Sequence, residues 1–409
     1  MCGEALETQT ETKYGLPKEV IYCKRCVISN QRPQSTVEFK NTSVEKKKTI
    51  AFGEDGICDA CRYAEYKETK IDWTKRKKEL EALCDRYRRD DGYWDCVIPA
   101  SGGKDSSFTA HTLKYRFGMH PLTVTWAPHE YTERGWQNLQ GMIHSGLDNV
   151  LINVNGKVHR YLTKLAFLNL GHPFQPFIIG QKFVGPKTAL LRDIPLIFYG
   201  ENQAEYGNAI GENERPTMDP KFFSAEKSDY VDVHLGGVSG ADLLKDHGLT
   251  KNDLEMYMPP LRKDIDAKGV QVHYLGYYLK WDPQECFYYA AKHTGFQPNS
   301  ERTEGSYSKY SSIDDKIDVL HYFTTMAKFG IGRATYDAVQ EIRNGKITRE
   351  EGVALVRKYD MEFPQKYFRD CLKYLDITEE VFWETIEKFR SLHLWEKKDG
   401  QWVLKYQVF

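Results

Sequence analysis

The chain has 409 residues, enough for two or three domains and a sizeable core. Its hydrophobic fraction of 41%, charged fraction of 28% and net charge of −1 exclude a disordered tail protein and a global basic field for nucleic acid. No apolar run of about 18 residues occurs, and the first twenty residues lack the apolar segment of a signal peptide, so the expected location is the cytoplasm with no membrane partner.

Residues 1–20 read as a polar tail. Residues 21–66 form a first module carrying Cys23-Lys24-Arg25-Cys26 and Cys58-Asp59-Ala60-Cys61. Between the pairs, "STVEF" and "KKTIAF" alternate as short strands do, so the module resembles a zinc ribbon. Nine cysteines in a chain without an export signal argue against a disulfide framework, and two C-x-x-C pairs have metal spacing. Four thiolates suit tetrahedral Zn²⁺ in a structural site, because four protein ligands leave no open position. The 31 residues between the pairs exceed the usual ribbon gap, so the intervening hairpin must be longer. Cys2, in "MCG", invites comparison with an N-terminal nucleophile, but the chain from there to Cys23 is too short for such a glutaminase domain.

Residues 67–93 serve as a connector, with helical periodicity over 72–89. From 94 to 281 the pattern alternates strand and helix. Strands are expected at 95–99, 121–126, 149–153, 194–199 and 270–275, and helices at 104–117, 132–145, 157–170 and 178–191. That alternation predicts an α/β domain with a parallel, doubly wound sheet. A stretch at about 207–262, rich in Gly, Pro, Asp and Asn, reads as an insertion. Residues 282–409 form a mostly helical C-terminal region, with helices at 282–293, 313–328, 333–343, 348–359 and 378–391.

The first strand runs into Ala100-Ser101-Gly102-Gly103-Lys104-Asp105-Ser106 and then a helix. Unpaired backbone N–H groups and the helix dipole converge at such a turn, which makes it an anion site. Neither G-x-x-x-x-G-K-[ST] nor G-x-G-x-x-G fits it. The fourth strand ends in Tyr199-Gly200-Glu201-Asn202, with Glu205 one turn later, at the carboxyl edge where open α/β sheets bind ligands. Glu201 and Glu205 read either as nucleotide-site groups or as ordinary helix N-terminal acids. Lys182 and Lys187 read as a solvated helix face or as receptors for a sugar carboxylate or diphosphate. The aromatic residues of 274–289 (Tyr274, Tyr277, Tyr278, Trp281, Phe287, Tyr288 and Tyr289) read as core or as ligand stacking.

The hexapeptide Ser101–Ser106, placed strand–turn–helix, resembles the pyrophosphate loop (PP-loop) of the adenine nucleotide alpha hydrolase superfamily, whose HUP-like domains cleave ATP between the α and β phosphates. The resemblance implies that Ala100–Ser106, Thr125, Trp126, Gly200, Glu201 and Asn202 bind ATP. It implies a catalytic set of Ser101, Lys104, Asp105 and Glu201, with Asp105 a ligand for Mg²⁺. The order C-x-x-C, "CDAC", "SGGKDS", "GENQAEYG", then a helical region, is similar to that of the N-acetyl sugar amidotransferases of surface polysaccharide and flagellin glycan pathways. That likeness implies ATP, Mg²⁺ and Zn²⁺ as cofactors. It also implies that the acetamido oxygen of a nucleotide-linked sugar is adenylylated and that ammonia displaces AMP. The ammonia would come from a separate glutaminase with a cyclase-like subunit of the histidine-biosynthesis type. A tRNA-modifying PP-loop enzyme of thiolase or lysidine-synthase type is the alternative. The charge balance and the lack of a cysteine between Cys96 and Cys286 weigh against sulfur transfer to nucleic acid. A zinc-ribbon scaffold without catalysis is a third reading, and retained Lys104 and Asp105 weigh against it.

Overall fold

The structure, a computed structural model, describes residues 12–35, 38, 47–201, 203–208, 215–227 and 229–409. Cys2, Asn202 and most of "STVEF" lie outside those residues. Five strands, β1 (Cys96–Pro99), β2 (Pro121–Trp126), β3 (Asp148–Ile152), β4 (Leu196–Tyr199) and β5 (Gln271–Tyr274), form one sheet of order β3-β2-β1-β4-β5. Every pairing is parallel. All five lie where hydrophobic runs place them, because central parallel strands are covered on both faces and read as apolar throughout.

The helices that matter for the site are α1 (Asp59–Thr69), α2 (Trp73–Tyr87), α3 (Lys104–Phe117), α4 (Glu133–His144), α5 (Gly156–Leu170) and α6 (Gln175–Arg192). Side chains alternate across the sheet. Val97 and Ile197 face the core made by α5 and α6, while Cys96, Ile98, Leu196 and Phe198 face that made by α2, α3 and α4. The sheet is therefore doubly wound. The chain leaves β1 in one direction and returns for β4 on its other side, which puts the topological switch point between those two strands.

The insertion supplies a two-residue hairpin, His234–Leu235 with Val238–Ser239, and short helices such as Gly240–Asp246. Its Phe223, Leu235 and Leu243 complete the α5–α6 core. The C-terminal region holds helices Pro283–His293, Asp318–Phe329, Arg333–Arg343, Arg349–Tyr359, Phe368–Leu375 and Glu379–Phe389. Two elements there go beyond the sequence expectation, the helix Phe368–Leu375 and a hairpin of Trp395–Lys398 with Gln401–Leu404. The hairpin turns at Asp399 (φ 50°) and Gly400 (φ 80°), the Asp-Gly pair that a two-residue turn with positive φ favours.

In the first module the strand expected at 47–52 is reduced to isolated bridges, Pro33–Thr49 and Phe52–Cys58, with a further bridge at Tyr22–Ser29. The second cysteine pair opens α1 instead, with Cys58 preceding the helix and Cys61 in its first turn. Thus α1 runs across the boundary expected near residue 66. Among the described residues no helix is long and apolar enough to cross a membrane.

Candidate functional site

Gly102 adopts φ +86°, and a Cβ there would lie 2.5 Å from the backbone N and Cα of Leu139 in α4. The turn needs glycine on both counts. The loop is held by its own hydroxyls. Ser101 N donates to Ser106 Oγ (3.3 Å), Ser106 Oγ donates to Gly103 O (3.2 Å), and Gly103 N donates to Ser101 Oγ (3.2 Å). Gly103 is the N-cap of α3 and brings no side-chain acceptor, so the first-turn N–H groups stay open to an anion.

The loop borders a cavity with two lobes. The first, about 660 Å³, lies over the carboxyl ends of β1 and β4 and is walled by Trp126, Phe174, Phe177, Tyr199, Met218 and Tyr274. The second, about 450 Å³, is the more polar of the two and is walled by groups such as Arg32, Tyr206, Arg333 and Tyr336. Lys104 and Asp105 line both lobes and stand where they meet. Lys104 Nζ contacts both Asp105 oxygens at 2.7 and 2.6 Å. Burial works against the Lys104 ammonium, but the charge of Asp105 outweighs it and holds the group above its ordinary range.

The site residues expected from sequence divide into three groups. Ala100, Ser101, Gly103, Lys104, Asp105, Ser106, Trp126, Gly200 and Glu201 line the first lobe. Glu201 accepts a hydrogen bond from the Tyr206 hydroxyl (2.7 Å), and burial, then the charge of Asp105, pushes its carboxyl up. Thr125 does not reach the cavity. Its hydroxyl donates to Ala100 O (2.6 Å) and accepts from Asn149 Nδ2 (2.9 Å), so it braces the loop from behind. Glu205 is also turned away, and of the aromatic cluster only Tyr274 lines the lobe. Trp281 instead packs on Gly200, Phe287 stacks on Tyr310 at 4.5 Å, and Tyr277 lies under Arg76 at 3.8 Å. The two lysines separate: Lys187 bonds Glu255 O outside the cavity, whereas Lys182 lines the first lobe and is no solvated-face residue. Burial brings its pKa down to about 8.

Sequence reasoning missed the contribution of residues 310–318. Thr132 N donates to Asp314 O (3.1 Å), Lys316 N to Glu130 O (3.1 Å), and His129 Nδ1 lies 2.7 Å from Asp315 Oδ2. These bonds stitch the segment onto the loop after β2 and set Asp314 Oδ2 3.1 Å from Ser101 Oγ, which donates to it. Burial at the cavity wall, with the charges of Asp318, Asp315 and Asp105 adding to it, pushes the Asp314 carboxyl up to about 7. A free aspartate loses its proton near 3.9, so the stability held by the protonated form is complete below about pH 4 and is lost as pH rises to about 7. Asp314→Asn cannot ionise. Its urea midpoint should pull ahead of wild type between pH 4 and 7 and keep a constant lead above, and parallel curves would refute the assignment.

The same segment carries the clearest relationship to known proteins. Residues 304–408 match the family described as LPS biosynthesis protein WbpG-like, C-terminal domain. That segment brings Tyr310, Ser311, Asp314 and Arg333 to the cavity. A stretch of 79 residues is 33% identical to an uncharacterized protein of Methanocaldococcus jannaschii, covering 19% of this chain and 27% of that relative. The match thus spans about a quarter of the curated relative's length. Among solved structures, an NAD+ synthetase from Burkholderia pseudomallei is similar at 16% identity with a TM-score of 0.25, over 58% of this chain and 95% of that one. The parallel doubly wound assignment rests on strand order and register alone.

Beyond the WbpG-like segment's cavity face, the helix Arg333–Arg343 ends on the cysteine cluster. The sulfurs of Cys23, Cys26, Cys58 and Cys61 lie within 4.8 Å of one another and are buried, the only such metal-binding group among the described residues. Four soft donors at that spacing fit Zn²⁺. Arg343 Nη2, at 3.7 Å from Cys26 Sγ and 3.8 Å from Cys58 Sγ, offsets the thiolate charge that a metal would require, and Arg25 N and Cys58 N donate to Cys23 Sγ. Arg343 Nη1 also donates to Glu205 O (3.0 Å).

Glu205 in turn receives Lys67 Nζ of α1 on both oxygens at 3.1 Å, and Lys67 also donates to Trp281 O (2.8 Å). The pair is almost fully buried, so it ties the cysteine module to the loop after β4 without contact to water. Lys67→Met removes the nearest counter-charge of the Glu205 carboxylate and should cost about 3–5 kcal/mol in chemical denaturation. Lys67→Met with Glu205→Gln should recover most of that loss. Equal losses in the single and double variants would dissolve the pairing argument.

Proposed function

We propose that the chain is an ATP-dependent amidotransferase acting on a nucleotide-linked N-acetyl sugar for surface polysaccharide synthesis. The observation that carries this reading is a glycine turn with open helix N–H groups, at the switch point of a parallel sheet, opening between two lobes that a WbpG-like segment completes. The adenosine of ATP occupies the apolar lobe beside Trp126, and the triphosphate lies against Gly103 and the first turn of α3, with Gly102 shaping the turn from behind. Ser101 and Ser106 supply hydroxyls, and Lys104 offsets charge on the departing pyrophosphate. Asp105, with phosphate oxygens, suits Mg²⁺, which is usually held by one or two carboxylates and neutralises phosphate charge. Glu201 faces the acceptor across the junction.

The acceptor's acetamido oxygen attacks the α phosphorus, and the bond to the bridging oxygen breaks with its electron pair leaving on pyrophosphate. Ammonia then adds to the imidate carbon, and the carbon–oxygen bond breaks as AMP leaves with its electron pair. An acetamidino group remains. A separate glutaminase with a cyclase-like subunit supplies the ammonia, and the cysteine cluster holds zinc in a structural role. The tRNA-thiolating alternative is disfavoured by chemistry: the described cysteines are all buried, and burial holds the Cys96 and Cys286 thiols well above their ordinary range.

The test is turnover. Purified protein with ATP, ammonium and N-acetylated nucleotide sugars should release AMP and pyrophosphate, with the sugar losing about one mass unit as oxygen becomes NH. Release of ADP and phosphate, or no ATP consumption with any acceptor, would overturn the reading.

A further inference from the structure

A charge taken out of water needs a counter-charge nearby. Among the described residues four lysine and arginine side chains are buried: Arg32, Lys67, Lys328 and Arg390. Lys67 lies 3.1 Å from Glu205, Lys328 lies 2.9 Å from Glu38, and Arg390 lies 3.3 Å from Glu387. Arg32, only 4% exposed, has no carboxylate among the described residues. Its Nη1 donates to Pro33 O (3.3 Å) and its Nη2 to Ser35 Oγ (3.2 Å), both uncharged acceptors, and its guanidinium lies 5.8 Å from the ring centre of Tyr336. Burial lowers its pKa, and the positive charge of Arg343 adds to the strain. A guanidinium keeps its proton under any physiological condition, so it cannot escape by neutralising.

Arg32 lines the polar lobe and does not line the apolar one. Other cations of that lobe have carboxylate partners: Arg333 pairs with Asp337 at 3.1 Å, Lys104 with Asp105 and Lys328 with Glu38. We infer that Arg32 is the receptor for an oxyanionic group of the acceptor substrate, a carboxylate or a phosphate, bound in the polar lobe. The word acceptor rests on the reading above, while the missing counter-charge does not. The planar fork of a guanidinium takes two oxygens of such a group at once. Arg32 stands six residues beyond Cys26, so the metal-binding module itself selects the substrate by charge.

The zinc-loaded full chain is titrated calorimetrically with UDP, with an N-acetylhexosaminuronate free of phosphate, and with ATP. Wild type binds UDP, the uronate or both. Arg32→Gln weakens the responding probe by about 10- to 100-fold and leaves ATP affinity within about twofold. A loss confined to UDP identifies a phosphate as the partner, and a loss confined to the uronate identifies a carboxylate. Without ligand, Arg32→Gln raises Tm by a few degrees, because it removes a buried charge that no carboxylate among the described residues balances. Arg32→Lys, which keeps the charge and loses the fork, falls between the two in affinity. A lower Tm, a failure to fold, a loss of ATP affinity alone, or a wild type that binds neither acceptor probe overturns the inference. Failure to form AMP and pyrophosphate would sink the amidotransferase reading and leave these binding results standing.

Discussion

Gly102→Ala is expected to lower stability by about 2–5 kcal/mol and to cut ATP turnover by about 100-fold or more. Two penalties act together. The left-handed backbone, φ +86°, costs an alanine about 1–2 kcal/mol. The new methyl would also sit 2.5 Å from backbone atoms of Leu139, and overpacking of this kind costs about 1–3 kcal/mol. Leu139 and Met142 are fully buried, so α4 cannot slide away cheaply. The loop must open instead, which moves Gly103 N and Ser101 Oγ away from the position proposed for the phosphates, and a displacement of about 1 Å in such a group costs roughly 10² in rate. Gly156→Ala is the control, since a methyl there meets nothing and the backbone is ordinary. It should be neutral or stabilising by up to about 1 kcal/mol. Urea unfolding and AMP release read both effects, and wild-type turnover by Gly102→Ala would remove the loop from the mechanism.

Loss of the metal should be the larger blow. Cys26→Ser, or chelation of the wild type, is expected to lower Tm by 10 °C or more and to expose the first module to protease. Structural zinc in small domains contributes about 10–16 kcal/mol at neutral pH, so a module built on it does not outlast it. The four thiols belong to a core with Val27, Ile28 and Ile50 from the module and with Ile331, Val339 and Val353 from the C-terminal region. Releasing the module therefore also frees Arg343 and Lys67, which position the loop after β4 through Glu205. ATP turnover should fall with the melting temperature although no cysteine lines either lobe. Elemental analysis should find one zinc per chain in wild type and little in Cys26→Ser. An unchanged Tm in a metal-free variant would end the structural role.

The five strands, the turn at Ser101–Ser106 and the paired cysteines were legible because each is written in a few adjacent residues. Apolar runs mark buried strands, glycines mark a close turn, and C-x-x-C marks a chelating pair. The C-terminal hairpin is written just as locally, in Asp399-Gly400. Lys182 was weighed as a solvated-face residue because an isolated lysine on a helix is usually solvated, yet the fold of α6 over the lobe encloses it. Glu205 stood one turn from Glu201 and looked like its companion, but the two diverge into separate networks.

Asp314 and Arg32 could not be found that way. They lie 213 and 69 residues from Ser101 in sequence, on opposite sides of the parallel sheet's own segment, and no local pattern announces either. By itself the sequence determined the layered parallel fold, the glycine turn between β1 and α3 and the pairing of the four cysteines, since periodicity and short motifs depend on neighbours within one element. Only the tertiary structure decided which charges are balanced and which residues share a cavity. Desolvation and ion pairing are set by what distant segments bring together, and that is a property of packing.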